Sequence, residues 1–201
     1  MKPSIVYLDL ESQKTIAQAG GDWSKIHRMK LAVAVAWCEP AGELRIFTER
    51  DIKELAALLR SAALVIGYNL LRFDIPIIKG YRGVNLKGVR YRDLLVDIVE
   101  QTEERHSLAS LLKINFELEA KASGLECIQW WQDGQVAKVV ETCANDVLHI
   151  RRLHLSGAKK GFIYVPGSAR RRKRCPVDWG DESSPSLPAS HLGRRPSAVS
   201  G

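Results

Sequence analysis

Four acidic residues occur within or beside apolar segments that are expected to form the core of the protein. Asp9 and Glu11 lie in IVYLDLES, Asp74 lies in RFDIPII, and Asp146 lies in CANDVLHI. Removing a carboxylate from water is costly unless another group compensates its charge. Divalent cations such as Mg²⁺ and Mn²⁺ prefer oxygen ligands and provide this compensation. The four acids therefore predict a site for two metal ions, which is a common arrangement for hydrolysing phosphodiester bonds.

The elements around the acids favour their convergence. Asp9 and Glu11 are two residues apart on a predicted strand, so their side chains project from the same face of a sheet. Asp74 lies where a short strand gives way to a helix, and Asp146 lies on the shoulder of a helical apolar stripe. Each position also has a simpler explanation: edge-strand charges for the first two, a helix N-cap for Asp74, and a boundary aspartate paired with Arg151 or Arg152 for Asp146.

The apolar periodicity predicts alternating strands and helices. The predicted strands are 5–10, 30–38, 43–48 and 63–67, and the predicted helices are 51–61, one from residue 73 or 74, 92–100, 107–116 and 136–155. The turn Pro40-Ala41-Gly42 indicates an antiparallel hairpin between the second and third strands. This order predicts an α/β fold, with a mixed sheet and helices on its faces. Asp93 and Asp97 lie on one face of a predicted helix, where two acids could contribute to an acidic groove, but they are interpreted as two solvated helix acids.

Charge is distributed unevenly along the 201 residues. The segment 151–201 contains 11 Lys/Arg and 3 Asp/Glu, a net charge of +8, so the rest of the chain has a net charge of −1. We predict a domain over residues 1–167 and a basic, largely disordered tail over 168–201.

The sequence lacks a long apolar segment and a signal-peptide pattern, which predicts a cytoplasmic protein without membrane contact. The four cysteines form no metal-binding pattern and are interpreted as free thiols.

The order and local context of the acids resemble the DEDD 3′–5′ exonucleases. The motifs are Asp9-x-Glu11, Gly67-Tyr68-Asn69 followed by Phe73-Asp74, and Asp146-Val147. The chain is most similar to the YprB-like ribonuclease H-like domains, some of which accompany helicases of the DEAD/DEAH type. Additional similarity lies at Trp23, at 29–34, at 124–131 and at 176–179, and the resemblance extends over about residues 4–179.

This resemblance implies a ribonuclease H-like mixed sheet with helices on both faces. It also implies that Asp9, Glu11, Asp74 and Asp146 are catalytic and bind two Mg²⁺ or Mn²⁺ ions, with Glu11 also orienting the attacking water. The family usually has a tyrosine four residues before the last aspartate or a histidine five before it. This chain has Thr142 and Glu141 there.

Four further residues are assigned to binding of the substrate. Asn69 belongs to the second motif, and Trp130 offers an aromatic surface on which an unpaired base can stack. His149 follows Asp146 by nearly one helical turn and is a candidate to replace the missing aromatic residue. Arg171 belongs to the run 170–174, whose charges suit phosphate groups. The expected partners are DNA or RNA with a single-stranded 3′ end, and a helicase.

Three hypotheses follow from these patterns. The first is a two-metal-ion 3′–5′ exonuclease. The second is a catalytically weak ribonuclease H-like module that binds nucleic acid or a helicase, and Thr142 motivates it. The third is an unrelated α/β domain with structural acids. The presence of all four acids favours the first hypothesis.

Overall fold

Five strands form a mixed sheet in the order β3-β2-β1-β4-β5. The computed structural model describes residues 4–119, 122–167 and 171–180. The strands of this sheet are β1 Ile5–Ser12, β2 Leu31–Glu39, β3 Glu43–Phe47, β4 Leu64–Gly67 and β5 Tyr91–Asp93. The first three strands are antiparallel neighbours, and β4 and β5 extend the sheet in parallel with β1. The predicted α/β class and the predicted β2–β3 hairpin are confirmed.

Helices cover both faces of this sheet. They are α1 Ile52–Ser61, α2 Asp74–Lys79, α3 Leu94–Thr102, α4 Leu108–Phe116, α5 Gly124–Gln132 and α6 Val136–Lys160. Short 3₁₀ segments occupy Trp23–Met29 and Glu49–Asp51. In the described part of the chain, no helix is both long enough and apolar enough to cross a membrane.

Side chains of β1 alternate between two cores because successive residues of a strand point to opposite faces. Val6, Leu8 and Leu10 pack into a core with α1 and α2. Ile5 and Tyr7 pack into a second core with α3, α4 and α6. Asp9 and Glu11 continue the row of Ile5 and Tyr7, so the carboxylates face the side of the sheet that α6 covers.

The structure corrects the sequence prediction at β5. Residues 92 and 93, predicted as the start of a helix, lie in a strand that pairs in parallel with β4. The helix begins only at Leu94, with the Asp93 carboxylate accepting a hydrogen bond from the amide of Leu95 at 3.1 Å. A strand of three residues is too short to show a clear period of two, and the apolar helix that follows it dominates the pattern.

The predicted domain boundary after Gly167 falls inside a hairpin. Strand β6, Phe162–Pro166, pairs with strand β7, Arg172–Pro176, in an antiparallel arrangement. Cys175 and Trp179 are each 1% exposed and belong to the same core as α6. The folded unit therefore includes residues 171–180, which the sequence analysis assigned to the tail, and the rest of the predicted tail from residue 181 lies outside the described residues. The high charge of β7 concealed the strand, because its basic side chains point outward.

Trp179 anchors the end of the described chain in this core. Its Nε1 donates a hydrogen bond to the Asp97 carboxylate at 2.9 Å, and its ring stacks on His154 with centroids 6.0 Å apart. Gly157 of α6 faces the ring so closely that a Cβ atom there would collide with it. Asp97 is thus a partner of the core tryptophan and of Arg92, at 3.8 Å, and its interpretation as a solvated helix acid is wrong.

We expect Trp179→Ala to lower the free energy of unfolding by about 3–5 kcal/mol, the usual cost of deleting a buried tryptophan side chain. Trp23→Ala is a matched control, because Trp23 is 51% exposed. Urea denaturation of the two variants should show a large loss for Trp179→Ala and a change within about 0.5 kcal/mol for Trp23→Ala. Equal stabilities would contradict the placement of residues 171–180 in the folded unit.

Candidate metal centre

Three of the four predicted acids form a compact cluster. Asp9, Glu11 and Asp146 each offer a carboxylate oxygen, and these oxygens lie within 4.8 Å of one another. All three side chains are partly buried. Asp146 is more than 130 positions from Asp9 and Glu11 in the sequence. The fold of the chain therefore brings these three residues together.

The sheet and α6 bring the three carboxylates together. Asp9 and Glu11 lie opposite Val35 and Val33 of β2, on a central part of the sheet. Val139, Cys143, Val147 and Ile150 of α6 are fully buried against the same face. Asp146 immediately precedes Val147, so the apolar stripe that docks α6 also places this carboxylate over the end of β1.

Burial and mutual repulsion raise the pKa values of the cluster. The pKa of Asp9 is well above its usual value because the carboxyl is desolvated and because the charges of Asp74, Asp146 and Glu11 are close. Desolvation, followed by repulsion from Asp146, raises the pKa of Glu11 to about 8. Burial also raises the pKa of Asp146, whereas His149 opposes this shift. A positive charge among these groups would reverse the repulsion.

Asp74 lies beside the cluster, outside the group of three oxygens described above. Asp74 is the first residue of α2 and is 3% exposed. Burial and the charges of Asp93 and Glu11 raise its pKa, whereas hydrogen bonding from the backbone amides of Asp74 and Leu10 lowers it. The structure therefore brings Asp74 into electrostatic contact with the cluster without making it a member of the compact triad.

Two cysteine thiols support the carboxylates. The Cys143 thiol donates to the backbone carbonyl of Asp9 at 3.3 Å and lies 3.5 Å from its Oδ2. The thiol of Cys127, on α5, is hydrogen-bonded to Glu11 and to Thr142. Desolvation is the largest cause that raises the pKa of both thiols. They are therefore neutral donors, and the sequence does not reveal this role because cysteines of an apolar stripe resemble ordinary core residues.

His149 and Thr142 flank the cluster on α6. His149 Nδ1 lies 3.7 Å from Asp146 Oδ1, which is longer than a hydrogen bond, and Nδ1 is buried without a hydrogen-bond partner among the described residues. Thr142 is buried and directed to Cys127. The structure thus places the predicted His149 next to the acidic cluster, and the position of Thr142 provides no aromatic group there.

The other residues assigned to substrate binding have structural partners. The side chain of Asn69 accepts a hydrogen bond from Arg105 at 2.8 Å, and its backbone has a positive φ of 61° in the loop after β4. Trp130 packs against the core with Lys138 Nζ 5.3 Å from its ring centroid. Arg171 is exposed, and its carbonyl accepts a hydrogen bond from Gly167 at 2.7 Å. None of these contacts by itself indicates a ligand.

Asp93 shapes the loop that leads to Asp74, and its interpretation as a solvated helix acid is wrong. Its carboxylate is 1% exposed and accepts hydrogen bonds from the amides of Asn69 and Leu71, at 2.8 and 2.9 Å. Burial raises its pKa to about 6, although these backbone bonds oppose the shift. Asp93 thereby closes the turn after β4 and adds negative charge near Asp74.

The donor set fits a hard divalent cation. Carboxylate oxygens are the preferred ligands of Mg²⁺, Mn²⁺ and Ca²⁺, and the oxygens of Asp9, Glu11 and Asp146 are close enough to share one ion. Desolvation and mutual repulsion raise their pKa values, so a bound cation would stabilise their charged forms. The cluster can thus hold a metal ion.

The sequence matches no known protein-family profile, and no curated protein is detectably similar to it.

Proposed function

We propose that this protein is a metal-dependent 3′–5′ exonuclease that hydrolyses single-stranded ends of DNA or RNA. The observation that carries the proposal is the convergence of Asp9, Glu11 and Asp146 on one face of the sheet, with Asp74 beside them. The acids follow the order and context of the DEDD exonucleases, which the sequence resembles. A mixed sheet covered by helices on both faces is compatible with the ribonuclease H-like fold that this resemblance implies.

In this proposal the protein residues position charge around the scissile phosphate. Asp9, Glu11 and Asp146 would hold two Mg²⁺ or Mn²⁺ ions, and Asp74 would complete the negative environment. Such ions, when bound, activate a water molecule and stabilise the leaving oxygen. Cys143 and Cys127 fix the rotamers of Asp9 and Glu11 by hydrogen bonding. Asp9, Glu11 and Asp146 are only partly buried, and a strand end with a free 3′ hydroxyl would have to reach them there.

The second candidate is a nucleic-acid-binding or helicase-partner module with weak catalysis. Thr142 favours this alternative because its hydroxyl is buried against Cys127 and leaves the aromatic water-positioning role unfilled. Positioned acid–base assistance typically contributes about 10²–10⁴ to a rate. His149, beside Asp146, is the residue that can compensate for part of this loss.

Cleavage of labelled strands tests the two functions. We expect DNA or RNA carrying a 5′ label to shorten stepwise from its 3′ end in Mg²⁺ or Mn²⁺, and to remain intact in EDTA. A strand blocked at its 3′ end should resist. Binding without cleavage in both metals would favour the second candidate, and neither binding nor cleavage would overturn both.

A further inference from the structure

A basic cavity of about 550 Å³ is bordered by Lys14, two residues after the end of the strand that carries Asp9 and Glu11. It is bordered by four lysine or arginine side chains, Lys14, Arg28, Lys30 and Arg82, and by a single carboxylate, Glu49. The balance of these side chains is 4 − 1 = +3. The Glu49 carboxylate already has two partners. It lies 3.5 Å from Lys30 Nζ and accepts a hydrogen bond from Gln13 at 2.9 Å.

The three remaining cations have no acidic partner in the described part of the chain. Lys14, Arg28 and Arg82 form none of the ion pairs that the structure contains there, and all three are exposed at the cavity. Basic side chains that line a concavity without acidic partners concentrate positive potential in it. The cavity is therefore complementary to an anion larger than a single carboxylate.

The chain ties this cavity to the metal centre. Lys14 follows Glu11 by three residues, so their Cα atoms are at most about 11 Å apart. Gln13, between them, donates its backbone N–H to the carbonyl of Lys30 at 3.0 Å. Gln132 of α5 donates to the carbonyl of Gln13 at 3.1 Å, and α5 also carries the Cys127 that contacts Glu11. The segment that follows β1 thus connects the cavity wall to the acidic cluster.

Lys30 provides a second indication of function. Its backbone has φ 59° and ψ 153°, a conformation that is almost restricted to glycine. Two backbone hydrogen bonds hold it, from its own amide to His27 and from Gln13 to its carbonyl. Strained residues of this kind tend to occur at binding and catalytic sites, where the surrounding structure enforces them. Here the strained residue presents its ammonium group at the rim of the cavity.

We propose that this cavity binds backbone phosphates of the nucleic-acid strand whose end reaches the metal centre. This inference rests on the proposed function and assigns to Lys14, Arg28 and Arg82 the role of holding the strand beside the scissile bond. The groups recognise phosphate charge and not base identity, so the contribution to affinity is independent of sequence and sensitive to salt.

The test measures binding separately from cleavage. Fluorescence anisotropy with a labelled oligothymidylate in EDTA compares the wild type with Arg28→Gln/Arg82→Gln at several salt concentrations. We expect the double variant to bind at least about tenfold more weakly at low salt, with a salt slope reduced by about 1.4, since each lost phosphate contact to a single strand lowers it by about 0.7. Arg60→Gln/Lys159→Gln is the charge-matched control, because both residues are exposed and neither borders the cavity.

The outcomes separate the two proposals. Equal affinities and slopes for the two double variants would overturn the cavity assignment, whatever the cleavage result. A selective loss of binding in Arg28→Gln/Arg82→Gln supports it even if the wild type fails to cleave in any metal, a result that would overturn only the exonuclease. Thermal unfolding of each variant checks that a loss of binding does not come from unfolding of the protein.

Discussion

Asp146→Asn is expected to lower the single-turnover rate of strand cleavage by at least about 10³. The change removes one of the three clustered carboxylates and preserves the shape of the side chain. Charge stabilisation by a bound cation is worth several kcal/mol in the transition state, and each 1.36 kcal/mol corresponds to a factor of ten. The measurement is the cleavage rate of an end-labelled strand at saturating protein in Mn²⁺.

Two features make this experiment decisive. Glu100→Gln is a matched control, because it neutralises an exposed helix acid away from the cluster, and it should retain the wild-type rate. Asp146→Asn should fold normally, because the pKa of Asp146 is raised and neutralising it relieves repulsion with Glu11. A folded Asp146→Asn protein that cleaves at the wild-type rate would show that the cluster is not the catalytic centre.

The central part of the fold is predictable because its apolar patterns are long. The apolar, β-branched start of β1 and the stripe of α6 are strong signals, and together they place Asp9, Glu11 and Asp146 on facing elements. Short elements with mixed composition are not predictable in this way. Strand β5 has three residues, and the signal of β7 is hidden because four of its five residues are exposed and three of these are basic.

The sequence predicts where the acidic site lies, but it does not predict which charged and polar groups surround each carboxylate. The α2 helix begins at Asp74 as expected, but the sequence does not reveal that the compact triad excludes this residue. Asp93 acts on Asp74, and Cys127 and Cys143 contact the cluster from segments far from β1 in the chain. Such contacts depend on helix rotation and on side-chain rotamers, which a hydrophobic pattern does not determine.

The metal-free protein is expected to lose stability as the pH rises from 6.5 to 8.5. Glu11 has an ordinary pKa of 4.5 and a folded-state pKa of about 8, so across most of this interval the folded state binds a proton that the unfolded state has released. Stability from such a group is complete below the unfolded pKa and is lost as the pH rises through the folded pKa. Each unit of pKa corresponds to about 1.4 kcal/mol, so Glu11 alone contributes a loss of about 2 kcal/mol over this interval.

The interval from pH 6.5 to 8.5 separates the effect of Glu11 on stability from the opposing effect of His154. Burial lowers the pKa of His154 from 6.5 to about 4, so His154 increases stability as the pH rises to 6.5 and adds little above it. Asp9 and Asp74, whose pKa values are also raised, act in the same direction as Glu11. For a chain of this size, about 2 kcal/mol corresponds to a decrease in Tm of roughly 4–8 °C.

Mn²⁺ should reverse this loss at pH 8.5, because a cation that binds the folded carboxylates favours the folded state. At a Mn²⁺ concentration 100 times the dissociation constant, the gain is about 2.7 kcal/mol, or roughly 5–11 °C in Tm. Glu11→Gln should show a smaller pH dependence in EDTA, by about the 2 kcal/mol assigned to Glu11, and a smaller Mn²⁺ effect, whereas Glu100→Gln should retain both. Calorimetry of the wild type and of both variants, in EDTA and in Mn²⁺ at pH 6.5 and 8.5, measures how Tm depends on pH and on Mn²⁺. A wild-type Tm that rises with pH in EDTA, or that is the same with and without Mn²⁺ at pH 8.5, would contradict a metal centre built on repelling, partly buried carboxylates.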